Sequence, residues 1–140
     1  MTSAFKATDL MSVVNNTKKP PNCDITLNIR PVKAEEGIAH AIWDVDESFI
    51  NGIGVAMGGF VASAADITMA YAIASILEDN QSFFSINLQT TFHRPVSVGK
   101  VEVEARIEKR GRTMVYLVSD LKQNNKVVAT VHSSVMLTNG

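Results

Sequence analysis

Apolar and polar positions tend to alternate in two early stretches, residues 25–33 and 37–46 (Ile25, Leu27, Ile29; then Ala39, Ala41, Trp43, Val45). A period of two marks half-buried strands, and Glu35-Glu36-Gly37 supplies a turn between them. Upstream, Phe5, Leu10, Val13 and Val14 are spaced roughly as on a short amphipathic helix over residues 4–14, which Lys18-Lys19-Pro20-Pro21 breaks. Residues 58–77 follow another rule. They are rich in Ala and apolar on nearly every side, which predicts a buried helix. Four strand-like runs complete the chain, at residues 85–93, 101–109, 113–121 and 127–137. Their separators, residues 95–99, Arg110-Gly111-Arg112 and Asn124-Asn125, all carry turn chemistry.

The order is therefore helix, two strands, one long buried helix, four strands, with connections among the last four too short for parallel crossovers. This predicts an α+β fold with an antiparallel sheet. Six strands cover a central helix on one side only, so its remaining apolar surface calls for self-association. At 140 residues the expectation is a single domain over 1–140, with an N-terminal helix and linker over 1–21.

Composition narrows the functions. A formal net charge of −1 gives no broad basic field for nucleic acid. No stretch runs about 18 apolar residues without a polar break, and residues 1–16 lack an apolar core of signal-peptide length, so the expectation is a soluble cytoplasmic protein with no membrane partner. Cys23 is the one cysteine, which excludes an intrachain disulfide, and with three scattered histidines it gives no metal-ligand spacing. Nothing in Pro21-Asn22-Cys23-Asp24 lowers the thiol pKa as a nucleophile requires.

Gly52, Gly54 and Gly58 do not make a dinucleotide fingerprint, because the third glycine falls one residue late and no βαβ unit surrounds it. There is no G-x-S-x-G elbow, P-loop or H-E-x-x-H. What stands out is Met57-Gly58-Gly59 opening the long helix. Two glycines there leave backbone N–H groups unobstructed for a negative oxygen, although they serve equally to permit a tight loop-to-helix turn. Asp66 is an acid inside an otherwise apolar helix. A buried carboxylate costs several kcal/mol unless paired, so Asp66 either reaches a partner or solvent, or has a chemical task. Ser85 begins a run whose polar face reads Ser85, Asn87, Gln89, Thr91. Arg110 and Arg112 sit at a corner where they can meet phosphates or simply stay solvated.

The stretch Asn51-Gly52-Ile53-Gly54-Val55-Ala56-Met57-Gly58-Gly59, followed by Ala65-Asp66, resembles the hotdog-fold acyl-CoA thioesterases related to the phenylacetate-pathway enzymes and to thioesterase superfamily member 2. That family carries N-x-x-G-x-x-H-G-G with an acid nine residues after the His, and Asp66 lies nine residues after Met57. Phe84-Ser85-Ile86-Asn87-Leu88, Phe92-His93-Arg94-Pro95, Gly99, Lys109-Arg110-Gly111-Arg112 and Val128-Ala129-Thr130 extend the resemblance over nearly the whole chain.

The resemblance implies a hotdog fold, an antiparallel sheet wrapped around one long helix, assembled as a homodimer or homotetramer with shared active sites. It implies hydrolysis of an acyl-CoA without cofactor or metal. Asp66 would be general base or nucleophile, with Ser85 placing the attacking water. Asn51 and the Gly58 N–H would hold the thioester carbonyl, and Met57, Gly59, Arg110 and Arg112 would contact substrate. The sequence departs from the pattern at Met57, whose thioether cannot donate the hydrogen bond or proton of the family His. Two rival functions are a non-catalytic acyl-CoA-binding hotdog protein, for which Met57 is the argument, and a hotdog dehydratase or hydratase. His40, His93 and His132 are not spaced to suggest the latter. Phe60, Met69, Phe83 and Phe92 are the candidate walls of an acyl pocket.

Overall fold

The computed structural model describes residues 5–139, and among them seven strands form one antiparallel sheet in the order β1-β2-β5-β6-β7-β3, with β4 also on β7. The strands are β1 (Ile29–Glu35), β2 (Ile38–Val45), β3 (Gln81–Ser85), β4 (Gln89–Phe92), β5 (Gly99–Arg110), β6 (Met114–Gln123) and β7 (Lys126–Asn139). One long helix, α3 (Gly58–Ala74), packs across β1, β2, β5, β6 and β7. Two short helices, α1 (Leu10–Val14) and α2 (Asn22–Leu27), lie against β1 and α3. This is the α+β hotdog arrangement expected from the resemblance.

Alternation along the strands places one residue in two against the helix, and the register aligns these into rows. Ala41 on β2, Val103 on β5, Leu121 on β6 and Ala129 on β7 form one such row, all buried. Each fully buried Val or Leu contributes about 1.5–3 kcal/mol, so these rows are the main source of stability. Small residues on the covered side of α3, Ala64, Ala65 and Ala72, let the helix approach the sheet closely.

Four expectations are corrected. Residues 25–33 are not one strand. Pro21 starts α2, and Asn28 ends it in the left-handed conformation (φ 63°) before β1 begins, so the alternation of Ile25, Leu27 and Ile29 was a coincidence spanning two elements. The N-terminal helix is shorter than residues 4–14. A single 3₁₀ turn, Ala7–Asp9, precedes α1, and Ala4 lies outside the described residues. The long helix stops at Ala74, because the Ser75 hydroxyl bonds back to the Ala72 carbonyl and the chain tightens through 3₁₀-type bonds from Ile76 N to Ile73 O and Leu77 N to Ala74 O. The run 85–93 splits into β3 and β4, giving seven strands instead of six. At the break the Asn87 side-chain oxygen accepts from Ser134 N (2.9 Å) and its carbonyl accepts from the Ser133 hydroxyl (2.8 Å). A side chain there replaces a ladder bond, and Ser85 ends a strand instead of starting one.

The uncovered side of α3 is a stripe of half-buried or exposed positions, Gly59, Ala62, Ser63, Asp66, Ile67 and Ala70. This is the i, i+3, i+4 spacing of one helix face, with Asp66 at its centre. Beside it, β3 and β4 bond only to β7, and Phe84, Ile86, Leu88 and Phe92 are exposed along that edge.

Candidate active site

Two pockets divide the expected site residues between them. The first, about 410 Å³, lies at the start of α3 between the 51–58 loop and residues 92–96, and includes Asn51, Gly58, Val61 and Phe92. The second, about 390 Å³, lies further along α3 and includes Asp66, Ser85, Phe83 and Ala70. They have no lining residue in common.

In the first pocket the loop is organised by Asn51. Its side-chain oxygen accepts from Ile53 N (3.0 Å) and Val55 N (3.3 Å), and its backbone pairs with Val55. Those bonds consume the acceptor and leave the amide NH₂ of Asn51 to donate outward. Gly54 takes the left-handed turn (φ 87°) that lets the chain double back. Met57 then enters α3 without capping it, so the Gly58 and Gly59 N–H groups have no acceptor among the described residues, while the next donors, Phe60 N and Val61 N, bond to Met57 O. Free donors and the positive end of the helix dipole make this a place for a developing negative oxygen. The Gly58 Cα lies under the ring of Phe92, and a Cβ there would come within 2.8 Å of the ring tip. A larger residue at 58 would have to push this exposed ring aside.

In the second pocket Asp66 is half-buried on α3, and the Ser85 hydroxyl donates to its carboxylate at 3.5 Å, the long limit of a hydrogen bond. Desolvation pushes the Asp66 carboxyl above the usual range, and the Ser85 bond partly opposes this. A carboxyl so placed is a better base, once ionised, than an exposed aspartate.

Gly58 and Asp66 are eight residues apart on one helix, hence about 12 Å along its axis. A carbonyl bonded to Gly58 N–H therefore stands too far from the Asp66 carboxylate of the same chain for attack.

The other expected residues are scattered. Met57 is half-exposed (46%) beside Gly59. Arg110 and Arg112 are exposed at the β5–β6 corner and line neither pocket. Of the four candidate walls, Phe83 lines the Asp66 pocket and Phe92 the Gly58 pocket. Met69 is buried in the core, and Phe60 packs on Phe49 with ring centroids 5.0 Å apart. Cys23 is exposed as a residue, but partial desolvation of its thiol and the Asp24 carboxylate push that thiol up, the opposite of what a nucleophile needs. His93 bonds Thr130 (3.0 Å), His132 bonds Tyr116, and His40 lies 3.7 Å from Glu104, so no two histidines meet. Among the described residues no cluster of three or more His, Cys, Asp or Glu forms that could hold a metal, and no helix is long and apolar enough to cross a membrane.

Sequence reasoning missed Asp24, Tyr71 and the N-terminal segment as parts of the Asp66 pocket. Asp24 is 2% exposed and accepts the Tyr71 hydroxyl, and both line the pocket. An aspartate just ahead of what looked like an alternating strand gave no signal of burial.

The thioesterase superfamily model matches residues 53–130, more than half of the chain and including Gly58, Asp66 and Ser85. The chain belongs to the thioesterase superfamily. A Pseudomonas aeruginosa protein provisionally described as an esterase is 31% identical over 87 residues, 61% of this chain and 65% of that relative, so the match spans just under two thirds of its length. Among solved structures, a phenylacetic acid degradation-related protein from Ralstonia eutropha, provisionally a thioesterase, superposes with a TM-score of 0.85 at 27% identity, covering 94% of this chain and 99% of that one. The PaaI protein from the phenylacetic acid degradation operon of E. coli gives a TM-score of 0.75 at 25% identity over 81% and 86% of the two chains. Membership supports acyl-thioester hydrolysis as the general chemistry.

Proposed function

We propose that the protein hydrolyses an acyl-CoA to the free acid and CoA in a site shared between two copies of the chain. The observation that carries this reading is the division of the expected residues into two pockets, with Gly58 and Asp66 about 12 Å apart along one helix. The thioester carbonyl oxygen accepts from the Gly58 N–H and the Asn51 amide of one subunit, with Met57 and Gly59 flanking it. Asp66 of the other subunit takes a proton from water held by Ser85, and the hydroxide adds to the carbonyl carbon. The tetrahedral intermediate, its oxyanion on the helix-start donors, collapses with loss of the CoA thiolate. Attack by the Asp66 carboxylate itself, through an anhydride that water then opens, fits the same geometry. No metal or cofactor takes part in this scheme. The exposed apolar edge of β3 and β4 and the small-residue stripe of α3 support the dimer, and Arg110 and Arg112 are assigned to CoA phosphates.

Complementation tests the shared site. Asp66→Asn and Asn51→Ala variants are each expected to be nearly inactive in a thiol-release assay, and their mixture, after dissociation and reassociation, should regain activity. A hybrid dimer holds one doubly damaged site and one intact site. If each chain carries its whole site, mixing restores nothing. If no acyl-CoA releases thiol with the wild-type protein, the hydrolytic reading falls and a binding module takes its place.

A further inference from the structure

The Asp66 pocket has walls of two kinds. One is fixed: Ile67, Ala70 and Tyr71 of α3 face Phe83 and Ser85 of β3. The other is the N-terminal segment, which contributes Phe5, Ala7 and Leu10. The segment is laid down by burial of Leu10 and Val13, and its first turn contacts both β3 and α3. Phe5 itself is outside the core, 43% exposed. It is held at the surface by Lys18, whose ammonium lies 5.1 Å from the ring centroid and 3.0 Å from Asp9, while Asp9 also accepts from Lys6 N at 2.7 Å. A cation over the ring face and an ion pair behind it orient the ring at the edge of the pocket, each contributing modestly at the surface.

We propose that the N-terminal segment is the outer wall of the acyl-binding pocket and that Phe5, opposed by the small Ala70, is a specificity-determining residue limiting the size of the acyl group. This rests on the reading of Asp66 as the residue beside the thioester. An acyl group whose carbonyl carbon meets Asp66 runs along α3 past Ala70, one turn on, where a methyl side chain leaves room that any larger residue would fill. On its other side it meets Phe5. The pocket is mainly apolar, and the buried Asp24 in its wall is already bonded to Tyr71. The acyl group is therefore sorted by bulk.

The test uses butanoyl-CoA and decanoyl-CoA with wild type, Phe5→Ala, Phe5→Leu and Ala70→Leu, measuring kcat/KM for both substrates and the melting temperature. Phe5→Ala should raise the decanoyl-to-butanoyl ratio about tenfold and Ala70→Leu should lower it by a similar factor, the scale set by a few methylenes in an apolar pocket. Phe5→Leu should lie near wild type. A ratio unchanged in folded Phe5→Ala and Ala70→Leu overturns the inference, as does a fall in melting temperature with no change in ratio. Should Phe5→Ala not fold, Ala70→Leu decides alone. If no variant releases thiol, the hydrolytic reading is what fails. Binding of the S-butyl and S-decyl thioethers of CoA then judges the wall by the same ratios: a shift in preference keeps it and equal preference overturns it.

Discussion

The Ser85 hydroxyl donates to the Asp66 carboxylate from 3.5 Å, and it is the only side-chain hydrogen bond that carboxylate makes among the described residues. The two come from elements far apart in sequence, the centre of α3 and the end of β3. Their meeting depends on the break at Asn87, which ends β3 where Ser85 overhangs the helix. Desolvation raises the carboxyl and the hydroxyl lowers it, so the two groups together set where Asp66 changes charge.

A base acts when ionised, so kcat/KM should fall as pH drops through the Asp66 pKa, with the acid limb above the ordinary aspartate value of 3.8. Ser85→Ala removes the bond that favours the charged form, and the limb should move to higher pH with about a tenfold to hundredfold loss at the plateau. Asp66→Asn should lower the rate by roughly 10² to 10⁴. Because the ionised carboxylate is disfavoured in the fold, Asp66→Asn should not lower the melting temperature at neutral pH. Full turnover by a folded Asp66→Asn protein would rule Asp66 out as base and nucleophile.

The long helix and the last strands were legible because their signals are local: an Ala-rich apolar run and alternating segments divided by strong turns. Asp66 was legible for the same reason, as an acid in an otherwise apolar helix. Residues 25–33 misled because three alternating apolar residues fit a strand as well as a helix end followed by a strand, and only the left-handed Asn28 separates them. The split at Asn87 was invisible, since it depends on Ser133 and Ser134, nearly fifty residues away. The separation of Gly58 from Asp66 could be read from their spacing in one helix. That their pockets share no wall needed the fold.

Met57 occupies the position where the resembling family carries His, and its half-exposed thioether donates nothing to a leaving group. Thiolate departs readily, so the loss should affect rate modestly. Met57→His should fold normally, because the side chain is outside the core, and raise kcat by no more than about tenfold to a hundredfold, the lower end of general acid assistance. Steady-state kinetics over a panel of acyl-CoAs checks this. A gain of several orders of magnitude from an inactive parent would show instead that Met57 has converted the fold to a binding module.

The Asp24–Tyr71 pair predicts a pH-dependent stability separate from catalysis. Burial holds the Asp24 carboxyl above the usual range and the Tyr71 hydroxyl opposes this, while burial first and then the carboxylate push the Tyr71 phenol well above its ordinary value. A carboxyl raised in the fold binds its proton more tightly there than in the unfolded chain. Its favourable contribution is therefore complete below pH 3.8 and is lost as pH rises through the higher folded value. Tyr71→Phe removes the main donor to a nearly inaccessible carboxylate and should cost about 1–3 kcal/mol at pH 7. The cost should shrink as the pH falls and Asp24 takes up its proton. Asp24→Asn keeps an acceptor for Tyr71 without the charge, so it should be at least as stable as wild type at pH 7 and lose that advantage in acid. In the double variant the Tyr71→Phe cost should be much smaller, since no buried charge is left unsatisfied. Urea unfolding of the four proteins at pH 4.5 and pH 7 measures all of these differences. Equal costs of Tyr71→Phe at the two pH values would mean that Asp24 keeps the same charge state at both, and the predicted pH dependence would fail.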